Sequence, residues 1–199
     1  MTLYLVRHGQ AAAGIEDRDP GLSELGRAQA ERTAAALADR PIARLVVSPL
    51  RRTRETAEPL AKRFALLPEL RSEVAEVFDP SMSIEERRAM IGPLMAGRWR
   101  EQRPALLEWR QRALDAVLEL ARQAVPGERE IVVVSHYIAI AAAVGAALGD
   151  DRVVPMEVPN CSITALAWDG SGLRLVQPPS DAHLPAELRT GRRTALPGG

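Results

Sequence analysis

Residues 2–9 read Thr2-Leu3-Tyr4-Leu5-Val6-Arg7-His8-Gly9. The run from Thr2 to Val6 is apolar without alternation, the pattern of a strand buried on both faces of a parallel sheet. It stops at a cation, an imidazole and a glycine, and a loop holding Asp19-Pro20-Gly21 follows. The same design recurs twice. Ala43 to Val47 leads into Ser48-Pro49-Leu50-Arg51-Arg52, and Glu130 to Val134 leads into Ser135-His136. Helical sequence follows each strand: from an N-cap at Ser23 to about Asp39, from Ser48-Pro49 to about Phe64, and from Ser135-His136 to Leu148. Ser48 and Ser135 both read as helix caps. This alternation predicts an α/β three-layer sandwich with a mainly parallel sheet flanked by helices.

Outside these units the pattern is uneven. Leu66 to Met82 is irregular, with Pro68 and Pro80, and Ser83 to Met95 reads as a weak helix broken at Gly92-Pro93. Glu101 to Ala124 reads as a long helix with Leu106, Trp109, Ala113, Val117 and Leu120 along one face. Ile163 to Trp168 and Leu173 to Val176 flank Asp169-Gly170-Ser171-Gly172 and predict a hairpin. We expect one domain over residues 1–184 and a mobile C-terminal tail over 185–199.

Composition narrows the function classes. Hydrophobic residues make up 46% and charged residues 26% of the 199, which fits a globular protein and argues against disorder. Lys+Arg and Asp+Glu balance at 26 each, so no broad electrostatic hold on nucleic acid or anionic lipid is expected. Lys62 is the single lysine; the remaining cations are Arg, which suits planar, bidentate anion binding. The lone Cys161 excludes an internal disulfide and fits a reducing compartment. The apolar stretch Ile138 to Leu148 is too short to span a bilayer, and the N-terminus lacks the basic start of a signal peptide. A cytoplasmic protein without a membrane partner is the expectation. Three histidines and one cysteine without ligand spacing argue against a structural zinc. There is no Gly-Lys-Ser/Thr phosphate loop, dinucleotide fingerprint or Gly-x-Ser-x-Gly elbow, so neither a cofactor nor a serine nucleophile is expected.

In open α/β sheets ligands bind outside the carboxyl ends of the strands, so the three junctions can meet in one crevice. Helix openings there favour an anion. The Arg7-His8-Gly9, Ser48-Pro49-Leu50-Arg51-Arg52 and Ser135-His136 segments are joined by Leu22-Ser23-Glu24-Leu25-Gly26, Gln29-Ala30 and Glu55-Thr56-Ala57. Asn160 before Ser162-Ile163-Thr164, and Asp181-Ala182-His183-Leu184, complete the set. From about Leu3 to Leu184 the chain resembles the histidine phosphatase superfamily, which includes the phosphoglycerate mutases.

That resemblance implies a phosphoglycerate mutase-like fold and a metal-independent phosphomonoester hydrolase acting through a phosphohistidine on His8. It assigns phosphate binding to Arg7, Arg52 and His136, with His136 also catalytic, and implies a small phosphorylated metabolite as substrate. The leaving oxygen needs a proton, and Glu76 is the expected donor. Glu73 is second, because the Gly-rich signature that usually follows the acid is missing. A mutase-like isomerase using the same nucleophile is the first rival, and a non-catalytic phosphate-binding module the second. Retention of a nucleophile beside the cations speaks against the module.

The sequence also departs from the family. Where relatives carry Thr and Asn after Arg-His-Gly, this chain has Ala11 and Gly14, leaving Gln10 or a backbone N–H to fill the gap. Tyr137 stands where relatives often have Gly and is expected to narrow the pocket mouth. Val77 to Arg103, with Arg87, Arg88 and Arg98, is expected to line or cap the pocket. Trp99 and Trp109 read as core or pocket wall, His183 as a packing residue, and Cys161 as a buried small hydrophobe. Oligomeric state is open, a homodimer included.

Overall fold

The structure, a computed structural model, describes residues 2–12, 17, 19–78, 82–124 and 128–191. Six strands form one sheet: β1 (Leu3–Arg7), β2 (Ile42–Val47), β3 (Glu69–Leu70), β4 (Glu130–Ser135), β5 (Ile163–Trp168) and β6 (Leu173–Ser180). Their order is β3-β2-β4-β1-β5-β6. The first four run parallel, and β5 and β6 add an antiparallel margin. Five helices flank it: α1 (Glu24–Ala36), α2 (Arg51–Phe64), α3 (Ile84–Ala96), α4 (Pro104–Gln123) and α5 (Tyr137–Leu148). Strand pleating sends Leu3 and Leu5 into a core with α4 and α5, and Tyr4 and Val6 into a second core with α1 and α2. Burial on both faces explains the unbroken apolar run in the first strand.

Register brings the three junctions to one level. Arg7 pairs with Ser135 across β1 and β4, and Val47 pairs with Val134 across β2 and β4. The ladder continues one step past the strands, through His8 N–H to the Ser135 carbonyl (3.0 Å) and Ser48 N–H to the Val134 carbonyl (3.1 Å).

Several boundaries differ from the sequence expectation. Ser23 caps α1 as expected, accepting from Gly26 N–H. Ser48 and Ser135, however, cap nothing. Helix α2 begins at Arg51 behind Leu50, and α5 begins behind His136, neither with a side-chain cap. Both serine hydroxyls are drawn elsewhere: Ser48 bonds His136, and Ser135 donates to the Val74 carbonyl at 2.7 Å. Helix α3 runs through Gly92-Pro93 instead of breaking there. A Ser83–Glu86 capping box anchors its start, and Ala89, whose carbonyl Pro93 cannot reach with an N–H, is an exposed residue. Helix α4 starts at Pro104, because Trp99–Glu101 forms its own short 3-10 turn. Strand β6 extends through Pro178 and Pro179, which an edge strand tolerates.

The first part of the expected tail is tied down. Gln29 Nε2 donates to the Leu188 carbonyl (2.6 Å) and to Thr190 Oγ1 (2.8 Å), and Asn160 N–H donates to the Thr190 carbonyl (3.0 Å). Residues 192–199 of that tail, and Gly14, lie outside the described residues. Among the described residues no helix is long and apolar enough to cross a membrane.

Candidate active site

His8 follows the end of β1 and is only 8% exposed. Its Nδ1 lies 2.8 Å from the Gly9 carbonyl oxygen, which can only accept. Nδ1 therefore carries the hydrogen and Nε2 the lone pair, to which Arg52 Nε donates at 3.2 Å. Arg52 sits at the start of α2, and its guanidinium also reaches across to β4's end. Arg52 Nη2 lies 3.1 Å from His136 Nδ1, so that nitrogen accepts and Nε2–H donates to Ser48 Oγ at 2.7 Å. The two imidazole centroids are 5.3 Å apart. Burial, then the Arg52 charge, pushes both histidines well below their ordinary pKa, so both rings are neutral at neutral pH.

Arg7 approaches the same crevice from the last position of β1. Its Nη1 donates to the Val158 carbonyl (2.7 Å) and the Gly191 carbonyl (3.2 Å), and its guanidinium lies 4.9 Å from the centroid of the Tyr137 ring. Tyr137 thus packs directly on a phosphate-binding candidate. Burial lowers Arg7 to about 10, against the pull of Glu76, and it stays charged at neutral pH.

Glu76 and Glu73 part company in three dimensions. Glu76 Oε1 accepts from Val77 N–H at 2.9 Å, and burial raises its pKa while that bond, Arg52 and Arg7 pull it down. Its carboxyl therefore sits within the field of both guanidinium groups. Glu73 is bonded to Arg71 (3.0 Å) and Ser72 (3.2 Å), and a backbone N–H and these partners hold it below the usual carboxylate range. The structure brings Arg7, His8, Arg52, His136 and Glu76 together and leaves Glu73 in a separate ion pair.

Two supporting residues, Thr56 and Asn160, stand in the motif segments without an assigned role, and a third, Ser48, reads there as a helix cap. Thr56, one turn along α2 from Arg52, donates to the Arg52 carbonyl (2.7 Å) and accepts from Gly9 N–H (3.0 Å). Asn160 Nδ2 donates to the His8 carbonyl at 3.0 Å. Ser48 orients His136. Their spacing within the motif segments was the available signal, but no periodicity marks a hydrogen-bond partner from a distant strand. Gly26 was likewise only a motif letter: a Cβ there would lie 2.2 Å from the Gln10 carbonyl oxygen, so α1 approaches the loop after β1 too closely for a side chain. Gln10 Oε1 accepts from Ser23 Oγ at 2.9 Å, which draws its amide toward the start of α1.

The remaining candidates fall outside the site. His183 Nε2 lies 3.0 Å from Thr33 Oγ1 as a packing contact. Cys161 is buried, which pushes its thiol up to about 12 and leaves it unreactive. Among the described residues no group of three or more His, Cys, Asp or Glu could hold a metal ion.

Comparison with known proteins identifies the family. A family model of the histidine phosphatase superfamily (branch 1) covers residues 3–179. An uncharacterised protein of Mycobacterium tuberculosis is 35% identical, over 69% of this chain and 74% of the relative. A probable phosphoglycerate mutase, GpmB, of Erwinia tasmaniensis is 33% identical, over 86% of this chain and 89% of its own length. Among solved structures, a mycobacterial glucosyl-3-phosphoglycerate phosphatase with bound VO3 superimposes with a TM-score of 0.69 at 27% identity, covering 88% of this chain and 97% of that one. YhfR of Bacillus stearothermophilus shares the fold, with a TM-score of 0.74 at 24% identity over 92% and 98% of the two chains. With its fold, motif order and family match in agreement, this chain belongs to the histidine phosphatase superfamily.

Proposed function

We propose that the protein hydrolyses phosphomonoesters without a metal, through a phosphohistidine on His8. The single observation that carries this reading is the His8 tautomer. Gly9 holds the Nδ1 hydrogen, and Nε2 presents its lone pair where Arg52 can hold a phosphoryl oxygen beside it. In the first step Nε2 bonds to phosphorus while the ester P–O bond breaks, and Glu76 gives its proton to the leaving oxygen. Arg7, Arg52 and His136 meet the charge on the remaining oxygens. In the second step the Glu76 carboxylate takes a proton from water, the water oxygen bonds to phosphorus, the P–N bond breaks, and inorganic phosphate leaves.

The names of the curated relatives favour a second reading, interconversion of phosphoglycerates by the same nucleophile. A mutase must keep its phosphohistidine from water. Here Glu76 opens onto a cleft of about 760 Å³, which supports hydrolysis. Purified protein should release inorganic phosphate from monoesters, 4-nitrophenyl phosphate included. Efficient 2-/3-phosphoglycerate interconversion with little phosphate released would overturn hydrolysis in favour of the mutase.

A further inference from the structure

The space beyond Glu76 is much larger than a phosphoryl group needs. It begins at Pro49 and Leu50, just ahead of Arg52, passes Glu76 and reaches α4. Its volume of about 760 Å³ falls in the range of clefts that enclose drug-sized ligands, roughly 300–1,000 Å³. The walls are Leu50, Phe78, Met82, Met90, Leu106 and Trp109. Trp109 is backed by the buried Trp99, ring centroids 6.2 Å apart and planes at 25°, so one wall is held rigid. Met82 and Met90 add unbranched, adaptable surface to the lining. Arg103 and Arg112 also line the space, and both are exposed; Arg103 Nη2 lies 3.8 Å from Met90 Sδ at its rim. A three-carbon hydroxy acid would leave most of these walls uncovered.

We infer that this cleft is the subsite for the leaving alcohol, and that the preferred substrates are phosphomonoesters of bulky, apolar alcohols. The inference rests on the hydrolase reading, because the cleft receives the group that Glu76 protonates. Nothing in it needs a fixed polar partner for the alcohol. Selection comes from area removed from water, which contributes about fourfold in affinity per buried methylene.

A homologous series of n-alkyl phosphates from propyl to hexyl tests this, because the leaving alcohol's acidity barely changes along it. With the full chain, kcat/KM should rise about two- to fourfold per methylene, mainly through a falling KM. Met90→Gln should flatten that slope while leaving inhibition by inorganic phosphate unchanged. Hydrolysis of 4-nitrophenyl phosphate together with a flat or falling alkyl series would overturn the subsite and leave the catalytic reading standing. If no ester is hydrolysed, the catalytic reading fails. Calorimetric binding of n-alkylphosphonates, which needs no turnover, then decides the subsite: affinity rising with chain length supports it, and equal affinities overturn it.

Discussion

The phosphoryl pocket and the cleft beside it share Glu76, yet they are built by opposite rules. In the pocket, Arg7, His8 and His136 are set by the sheet. Arg7 ends β1, His8 is bonded to Ser135 at the end of β4, and Ser48 at the end of β2 holds His136. Gly9, Thr56 and Asn160 fix the peptide around the nucleophile from three further directions. Most of the cleft walls come instead from residues between Ala75 and Trp109, on α3, on α4 and on the chain between elements, with Pro49, Leu50, Ser72 and Arg112 completing them. On the reading proposed above, Arg7, His8 and His136 act from positions that a parallel sheet cannot move without a register slip, whereas the cleft residues occupy positions that can be exchanged singly. Substitutions in the pocket should therefore act on kcat, and substitutions in the cleft on KM.

The largest effect should come from His8→Ala. Loss of the nucleophile is expected to lower kcat by about 10⁴-fold or more, with the circular dichroism spectrum unchanged. Wild-type protein quenched in alkaline detergent should carry an alkali-stable, acid-labile phosphate that the variant lacks. Turnover of the variant near the wild-type rate would dissolve the distinction between the two regions, since no group in the pocket would then be chemically special.

Glu76 belongs to both regions, and the next prediction uses that. Glu76→Gln should lower kcat/KM, which reports formation of the phosphohistidine, roughly 10²–10⁴-fold on alkyl phosphates, whose alkoxide needs a proton, and far less on 4-nitrophenyl phosphate. The pH profile sharpens the point. Burial raises the Glu76 pKa above the ordinary carboxylate value, so its acid form is depleted as pH rises through that raised value. With alkyl phosphates the rate should fall on this alkaline side, and with 4-nitrophenyl phosphate that limb should vanish. His8 is shifted the other way, so the nucleophile remains unprotonated at pH values well below 6.5. An equal loss of kcat/KM on both ester classes would make Glu76 a binding group, and no loss would return attention to Glu73.

How much of each region could be read from sequence follows from the same contrast. Strand ends announce themselves: an apolar run, then Arg7-His8, then helix-forming sequence. Three such junctions, two of them carrying a histidine, mark one crevice at the strand ends. The serine hydroxyls were misassigned because a cap and a partner for a distant imidazole look alike in one dimension, and only the β2–β4 register sets Ser48 beside His136. The cleft was barely legible. Pro68, Pro80 and Gly92-Pro93 suggested breaks, whereas α3 persists through the last of these, with a capping box at its start and Ala89 exposed. That Phe78, Met90 and Trp109 share one space depends on packing between segments that carry no common period.

Arg52 tests whether geometry within the pocket matters beyond charge. Its guanidinium contacts His8 Nε2 and His136 Nδ1 at once, at 3.2 and 3.1 Å. A lysine keeps the charge but cannot present two donors in a rigid fork. Arg52→Lys should lower kcat roughly 10²–10³-fold, as loss of a preorganised donor does, with the slope of the alkyl series unaltered. A near-normal kcat in Arg52→Lys would mean that positive charge alone suffices there.

The smallest expected effect is that of chelation. A divalent ion accelerates phosphoryl transfer by neutralising oxygens, by activating water or by holding two groups in line. Here Arg7 and Arg52 bring permanent charge to one crevice, His136 adds a polar contact, and the nucleophile is an imidazole that needs no metal to shed a proton at neutral pH. The cations are also costly to bury: Arg7 is lowered to about 10 by its surroundings, and a second fixed positive charge, Arg52, stands in the same crevice. Adding a divalent cation to that cluster would add repulsion before it added catalysis, while an incoming phosphate relieves the repulsion already present. Exhaustive treatment with EDTA should therefore leave kcat for 4-nitrophenyl phosphate within about a factor of two, a small change beside the ~10²-fold or larger effects of the pocket substitutions. A loss restored specifically by Mg²⁺ or Zn²⁺ would show that the arginines position the ester while another charge carries the transition state.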